Sequence, residues 1–305
     1  MLFSSTDQNV VEVLPPVNDS IYPYSALVIG RSEGSATIYA HVWLRPDDGN
    51  YDCLGTASVN VNNFSWFQTQ EGDVHSGGSI RSRVPVGQNF SLDRSGGFPG
   101  VISYTGLGAD FTPGGISSKN WLANSGAKRN SYSFFYQLLG SPALEPPPTG
   151  GTISNSDLPK GDGGVKAYNG DIQTGDAWQI GRSRIVILTS GKFTISHKIS
   201  IANEGSLVVV AKQGIDVAWN FGGSNNQVQG IFITDGTFNS SVGGSANNQL
   251  IVEGGVIAQS VNLGRDLGAN NGTTPAEKFV YRPDLWLNIY PQLWKRSHLW
   301  EEVAP

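Results

Sequence analysis

Ile185-Val186-Ile187-Leu188, Leu207-Val208-Val209-Val210, Ile231-Phe232-Ile233 and Leu250-Ile251-Val252 are four short apolar runs separated by glycine- and asparagine-rich connections. A glycine followed shortly by an apolar residue recurs at Gly170, Gly191, Gly214 and Gly236, at spacings of 21, 23 and 22. The triplet Asn225-Asn226-Gln227 returns as Asn247-Asn248-Gln249, again 22 residues on. One further step from Gly236 reaches Ala258, where the glycine is lost. A period near 22 with short strands and tight turns is the signature of a solenoid. Each coil supplies two or three strands that cannot bury their inner face alone, and stacking at about 4.8 Å pairs every strand with its neighbours. A β-sandwich also has recurrent strands, but it does not hold one triplet and one glycine in register over successive steps. The reading is an all-β chain built on a right-handed parallel β-helix. Stacked Asn225 and Asn247 are expected to form an amide ladder.

The flanks are assigned outward from that core. Gly72-Asp73-Val74-His75-Ser76-Gly77 is echoed by Gly170-Asp171-Ile172-Gln173-Thr174-Gly175, which places the β-helix over 66–268. Residues 119–164 interrupt it as an insertion. Within them Ser131 to Leu139 is expected to form a short helix with Ser131 as N-cap and Gly140 as stop. Pro146-Pro147-Pro148 opens a long loop after it. A linker between two separate domains is the weaker alternative, because the Gly-Asp-aliphatic motif occurs on both sides. Residues 1–20, with Pro15-Pro16, read as an arm. Residues 21–65 alternate apolar and small or polar side chains, as in Ala36 to Trp43 and Ala57 to Val61, and read as a small antiparallel β unit. Residues 269–305 carry Trp286, Trp294 and Trp300 and are expected to cap the last coil or to pack along the outside of the stack, with an aromatic docking surface as the alternative.

Composition excludes several function classes. Charged residues make up 15% of the 305, with 39 glycines, yet 8 Trp, 10 Tyr and 13 Phe are too many for a disordered chain. A net charge of −5 gives no basis for binding nucleic acid. Cys53 is the single cysteine, so neither an internal disulfide nor a cysteine zinc site is possible. No apolar stretch is long enough for a helical membrane span. Met1-Leu2-Phe3-Ser4-Ser5 has no basic n-region or apolar core and does not read as a signal peptide, which leaves a cytosolic protein or one whose export segment has been removed.

Gly264-Arg265-Asp266-Leu267-Gly268-Ala269-Asn270-Asn271, then Pro275 to Leu285, together with Trp66-Phe67-Gln68 leading into Gly72-Asp73-Val74, resemble segments of uncharacterised surface proteins of Candidate Phyla Radiation (Patescibacteria) bacteria. The coil region also resembles glycine-rich β-helical segments of pilus-assembly-associated proteins. The resemblance runs from about residue 60 to 305 and implies export and display at the cell surface. It supplies no catalytic residues.

Candidate chemistry was weighed against structural roles. A glycosidase needs two carboxylates flanking a groove, and Asp73, Asp171 and Asp176 are the candidates, with Asp216 and Asp235 later. Asp73 and Asp171 follow glycine in equivalent motifs, which fits a turn residue accepting backbone hydrogen bonds better. Asp216 and Asp235 lie 19 apart and miss the repeat. His41, His75, His197 and His298 are scattered, which makes zinc improbable, and no nucleophile elbow marks a serine hydrolase. Asp47, Asp48, Asn50 and Asp52 cluster in oxygen-rich fashion for calcium, though a plain hairpin turn explains them better. Trp121, Tyr132, Tyr136, Trp178 and Trp219 are candidates for stacking on sugars, each weighed against packing. The expected function is therefore a non-enzymatic structural or adhesive protein of the cell surface or an appendage, without a cofactor. Self-association, other surface proteins or glycans are the expected partners. A carbohydrate-binding or polysaccharide-active β-helix and a self-assembling filament subunit are the alternatives.

Overall fold

The computed structural model describes residues 2–14, 26–30, 34–42, 53–61, 64–94, 97–124, 131–222, 227–244 and 246–294. The chain divides into two compact units, one of residues 1–64 with 268–274 and one of residues 65–267 with 275–305.

In the first unit, β1 (Leu2–Ser5), β2 (Val11–Leu14), β3 (Leu27–Gly30), β4 (Gly34–Val42) and β5 (Cys53–Val61) form two antiparallel sheets, β1-β4-β5 and β2-β3. Val10, Val11, Ala36 and Ile38 are buried together at its core. The antiparallel unit is as expected, but residues 2–5 belong to it as a paired edge strand and are not a free arm.

The second unit is a parallel β-solenoid of about nine turns. Its strands before the helix are β6 (Phe67–Gln70), β7 (Val74–Ser76), β8 (Ile80–Arg81), β9 (Ser91–Leu92), β10 (Val101–Tyr104), β11 (Ala109–Asp110) and β12 (Trp121–Asn124). After α1 (Tyr132–Leu138) come β13 (Thr152–Ile153), β14 (Gly163–Tyr168), β15 (Ile172–Thr174), β16 (Trp178–Ile180), β17 (Arg184–Thr189), β18 (Lys192–Ile195), β19 (Ile199–Ile201), β20 (Ser206–Ala211) and β21 (Gly214–Ala218). Two long bent strands follow, β22 (Gln227–Val242) and β23 (Leu250–Asn262), then β24 (Glu277–Val280) and α2 (Pro283–Leu287).

Each regular coil contributes to three faces. The first face stacks β14, β17, β20 and the middle stretches of β22 and β23. The second stacks β13, β15, β18, β21 and the ends of β22 and β23. The third stacks β16, β19, the starts of β22 and β23, then β24, β6 and β9. Val165, Val186, Val208, Ile231 and Gly255 are in register on the first face, so successive coils take 21, 22, 23 and 24 residues. The repeating glycines sit at a corner where the turns touch. A Cβ on Gly191 would lie 2.6 Å from Asp171 N, and one on Gly236 would lie 1.9 Å from Gln213 O. Only glycine permits that approach.

Inward columns fill the solenoid. Ile172, Phe193, Ile215 and Phe238 stack beneath the second face, and Trp178, Ile199, Val228, Val252 and Phe279 beneath the third. The first face is different, because both of its sides are buried. Ile185, Ile187, Leu207, Val209 and Phe232 point into the solenoid. Val186, Leu188, Val208, Val210, Ile231 and Ile233 point outward, where Tyr132, Phe135 and Leu139 cover them. Trp286, Ile289, Tyr290 and Leu293 pack on the same outer side. Double burial is why these strands read as unbroken apolar runs and not as alternation.

The coils do not stack in chain order. β24 lies between β23 and β6, so residues 66–124 continue the stack beyond the C-terminal rung and do not precede the coil of β14. The stretch expected to be an insertion therefore carries the chain back along the outer first face. Ser131 caps α1 by accepting Phe134 N–H at 3.2 Å, Gly140 follows at φ 81°, and Asp235 accepts Tyr132 N–H at 2.9 Å. Glu145 then bridges to Tyr168, and Pro146-Pro147-Pro148, which lack N–H groups, follow at the end of the first face. The tail expected as a cap supplies an interior rung, β24, before it turns outside as α2.

Replacing Phe135 with alanine is expected to uncover the outer first face and to cost about 3 kcal/mol of stability. Urea unfolding monitored by circular dichroism measures this, and an unchanged midpoint would show that α1 is not needed to seal the face.

Candidate functional site

The three candidate catalytic carboxylates each take a backbone N–H from a neighbouring coil. Asp73 accepts Val101 N–H at 2.8 Å, Asp171 accepts Lys192 N–H at 2.8 Å and Asp176 accepts Asn155 N–H at 2.7 Å. Asn155 returns the favour by accepting Gln179 N–H at 2.7 Å. Asp73 and Asp171 are separated by several rungs of the stack, more than about 20 Å at the spacing of paired strands. They cannot flank one glycosidic bond. Asp216 and Asp235 are also tied into the architecture, the first in the ladder described next and the second at the start of α1.

The second face presents a flat polar row in which Thr152, Gln173, Thr194, Asp216, Asn239 and Asn262 lie in register. Gln173 donates to Thr152 Oγ1 at 3.0 Å, Asn239 to Asp216 Oδ1 at 2.6 Å and Asn262 to Asn239 Oδ1 at 3.2 Å. Lys192 Nζ lies 3.2 Å from Asp216 Oδ2. An amide contact thus joins Asn239 and Asn262. The expected ladder of Asn225 over Asn247 is a different pair, and Asn225 lies outside the described residues.

Two buried polar centres escaped sequence reasoning. Arg265 is 1% exposed, and its guanidinium donates to the carbonyls of Ser240 at 2.8 Å, Asn248 at 2.9 Å and Ala218 at 3.1 Å, and to that of Phe221. Burial lowers its pKa to about 10, against the nearby Glu277 carboxylate. Glu277 accepts Ser240 O–H at 2.6 Å and Arg265 N–H at 3.0 Å, and burial pushes its carboxyl up. One arginine therefore satisfies backbone oxygens of several coils. The second centre is Arg282, which donates to both Asp284 oxygens at 2.8 and 2.7 Å and to Glu253 Oε2 at 3.0 Å. Gln229 donates to the same Glu253 oxygen at 2.8 Å and accepts Ile201 N–H. This chain of contacts ties α2 to the third face. Nothing in the sequence marked these charges, since burial is not visible in spacing.

The aromatic candidates divide. Trp178 is fully buried, with Nε1 donating to Ile153 O at 3.1 Å, and is withdrawn as a ligand contact. Tyr132 is buried against the first face, and Tyr136 stacks on it at 5.9 Å. Trp219 is 43% exposed but its ring packs on Gly244, where a Cβ would approach to 2.9 Å. Trp121 stands out at 75% exposure on β12. The Trp286 side chain is half-buried on the outer first face. Trp294 ends a short 3-10 turn, Pro291–Trp294. Trp300, His298 and the calcium candidates Asp47, Asp48, Asn50 and Asp52 lie outside the described residues.

Trp121 shares a sheet with His75 and Ser103. The order is β12-β10-β7, with Val101 opposite Trp121, Ser103 opposite Ala123 and His75 opposite Ser103. His75 Nδ1 lies 2.8 Å from Ser103 Oγ. A Ser–His contact is half of a nucleophilic arrangement. Among the described residues no carboxylate contact to His75 accompanies it, and Asp73 accepts Val101 N–H. What the sheet offers is an exposed ring, an imidazole and a hydroxyl on a flat surface. Comparison with protein-family models, with curated proteins and with solved structures found no match.

Arg265→Ala is expected to leave four carbonyls, those of Ser240 and Phe221 buried, without their donor and to destabilise the chain by about 3–5 kcal/mol, read as a lowered denaturant midpoint. A pH dependence is expected from Asp284, whose carboxyl Arg282 holds below the usual range. Its contribution is present above the ordinary carboxylate pKa and lost as pH falls through the lowered value. Asp284→Asn should therefore flatten the acid limb of a melting-temperature profile, and an unaltered limb would assign that limb to other groups.

Proposed function

We propose that the chain is a non-enzymatic structural or adhesive protein whose solenoid acts as a rigid spacer at the cell surface or on an extracellular appendage. One observation carries this reading: Asp73, Asp171 and Asp176 each accept a backbone N–H across coils, which is a structural use of these side chains. A continuous hydrogen-bond ladder resists bending, which suits a spacer. The likeness of 264–285 to bacterial surface proteins points to the same setting.

The test pairs protease shaving of intact source cells with negative-stain microscopy of the purified chain. Release of peptides from intact cells, and unbranched particles of constant width, are the expected outcomes. Peptides seen only after lysis would overturn surface display. Ordered filaments would assign the protein to an appendage as a building block. An Asp171→Asn, Asp176→Asn double variant is expected to melt earlier.

A second reading is favoured by Trp121. Its exposed ring beside Val101, with His75 and Ser103 two residues along, suits stacking on a sugar ring with polar contacts at its edge. Binding to a neutral-glycan panel that disappears in Trp121→Ala, with unchanged melting, is the outcome expected from it.

A further inference from the structure

The coils of residues 66–118 build a cavity of about 360 Å³ lined by Arg81, Ser82, Arg83, Asp110, Thr112 and Pro113. Its floor follows from strand alternation. Ile80, Ser82 and Val84 are buried while Arg81 and Arg83 are exposed, so both guanidinium groups emerge on one side. Ser82 fixes this phase, donating to Phe67 O at 3.1 Å and accepting Phe67 N–H at 3.2 Å. Arg81 is paired in register with Asp110 on β11, and Ser82 N–H donates to Asp110 O at 3.0 Å.

The opposite wall is held just as firmly. Asp110 Oδ1 accepts Thr112 N–H at 3.1 Å and Thr112 O–H at 2.7 Å. Those hydrogen bonds, with Arg81 and Arg83 adding to them, keep its carboxyl below the ordinary range. Phe111 stacks on buried Phe90 at 4.3 Å, and Gly114 N–H donates to Val84 O at 2.7 Å. The loop behind Thr112 is thereby pinned to the turn after Arg83. A Cβ on Gly114 would lie 2.5 Å from Pro85 O, so the glycine is what allows the two segments to close.

The chemistry is two guanidinium groups, one ionised carboxylate and a proline ring around one cavity. A guanidinium fork such as that of Arg81 suits a planar carboxylate, which it can bind through two parallel N–H donors, and Arg83 adds positive charge beside it. Asp110 would repel a compact dianion placed between them, but it accepts hydrogen bonds from hydroxyl groups. A ligand with one carboxylate and neighbouring hydroxyls matches both demands, and Pro113 offers its ring to the apolar side of a sugar. The volume falls in the range of small-molecule sites, at roughly 300–1,000 Å³. We propose that this cavity binds a carboxylated sugar, a hexuronate unit of an acidic polysaccharide. The inference goes beyond the rod reading and holds wherever the rod is displayed.

Calorimetric titration of the full chain tests it, with trigalacturonate as the acidic probe, maltotriose as the neutral one and sulfate as the bare anion. Trigalacturonate is expected to bind at least about tenfold more tightly than maltotriose, consistent with charge-assisted pairing. Arg81→Ala and Arg83→Ala should each weaken it by about tenfold or more, and Arg81→Lys should also weaken it, because the charge stays but the fork is lost. Asp110→Asn should reduce uronate binding while leaving sulfate no weaker. Melting curves identify any variant that fails to fold, and Arg81→Lys and Arg83→Lys then carry the test. Equal affinity for acidic and neutral trimers, or binding indifferent to both arginines, would overturn the site. Sulfate competing as strongly as the trimer would overturn the sugar class.

Discussion

Every strand of this solenoid must find its hydrogen-bond partners in the coils on either side, because neither edge of a rung can be satisfied within its own coil. That requirement forces successive coils into register, and register forces like positions to stack. Apolar positions then become columns, such as Ile172 over Phe193, Ile215 and Phe238. Polar positions become ladders, such as Asp216, Asn239 and Asn262. The same logic explains why acidic and amide side chains at the corners reach across to N–H groups of the next turn. A corner residue leaves the ladder, so its neighbours' donors need another acceptor. Asp73, Asp171 and Asp176 supply one.

Stacking out of chain order creates a second requirement. The chain finishes β12 at one end of the stack and must begin β13 at the other, so something has to traverse the length between. A bare connection lying across the apolar outer face would bury unpaired backbone groups. A helix satisfies its own backbone, and α1 does this while its Tyr132 and Phe135 cover Val186, Val208 and their neighbours. The first face is thus held from both sides, and its outer layer depends on the return path as much as the inner layer depends on the coils. Arg265 meets a related demand. Where β22 and β23 take longer turns, carbonyls of Ala218, Phe221, Ser240 and Asn248 turn toward the interior, and one five-donor side chain answers all four.

Much of this was legible in the sequence, and the failures have identifiable causes. The period of the glycines reported the solenoid because corners such as Gly191 and Gly236, with no room for Cβ, leave a mark at successive turns. The helix was legible because Ser131 and Gly140 are local signals. Stacking order was not legible, since a periodic pattern is blind to which end of one block meets which end of another. Trp178 was open to both packing and ligand contact for a similar reason: aromatic side chains near a turn look alike in sequence whether they face in or out. Arg265 and Glu277 were quoted for their resemblance to other chains, but nothing in their spacing says that they are buried.

The regular coils leave little room for recognition. A ladder of identical short rungs yields a flat surface, and a flat surface offers a ligand one side only. The coils of residues 66–124 differ. Val74 pairs with Ile102 and Ile102 with Leu122, steps of 28 and then 20 residues, so the turns there cannot superimpose. Unequal turns produce overhangs, and an overhang pinned at Phe111 and Gly114 makes one wall of a concave site. Charge differs between the two regions, since Asp216 and Lys192 on the regular second face form an ion pair while Arg81, Arg83 and Asp110 line the cavity. Irregularity in a solenoid costs stacking contacts. The coils that carry the cavity, His75 with Ser103, and Trp121 are the ones proposed above to meet a ligand.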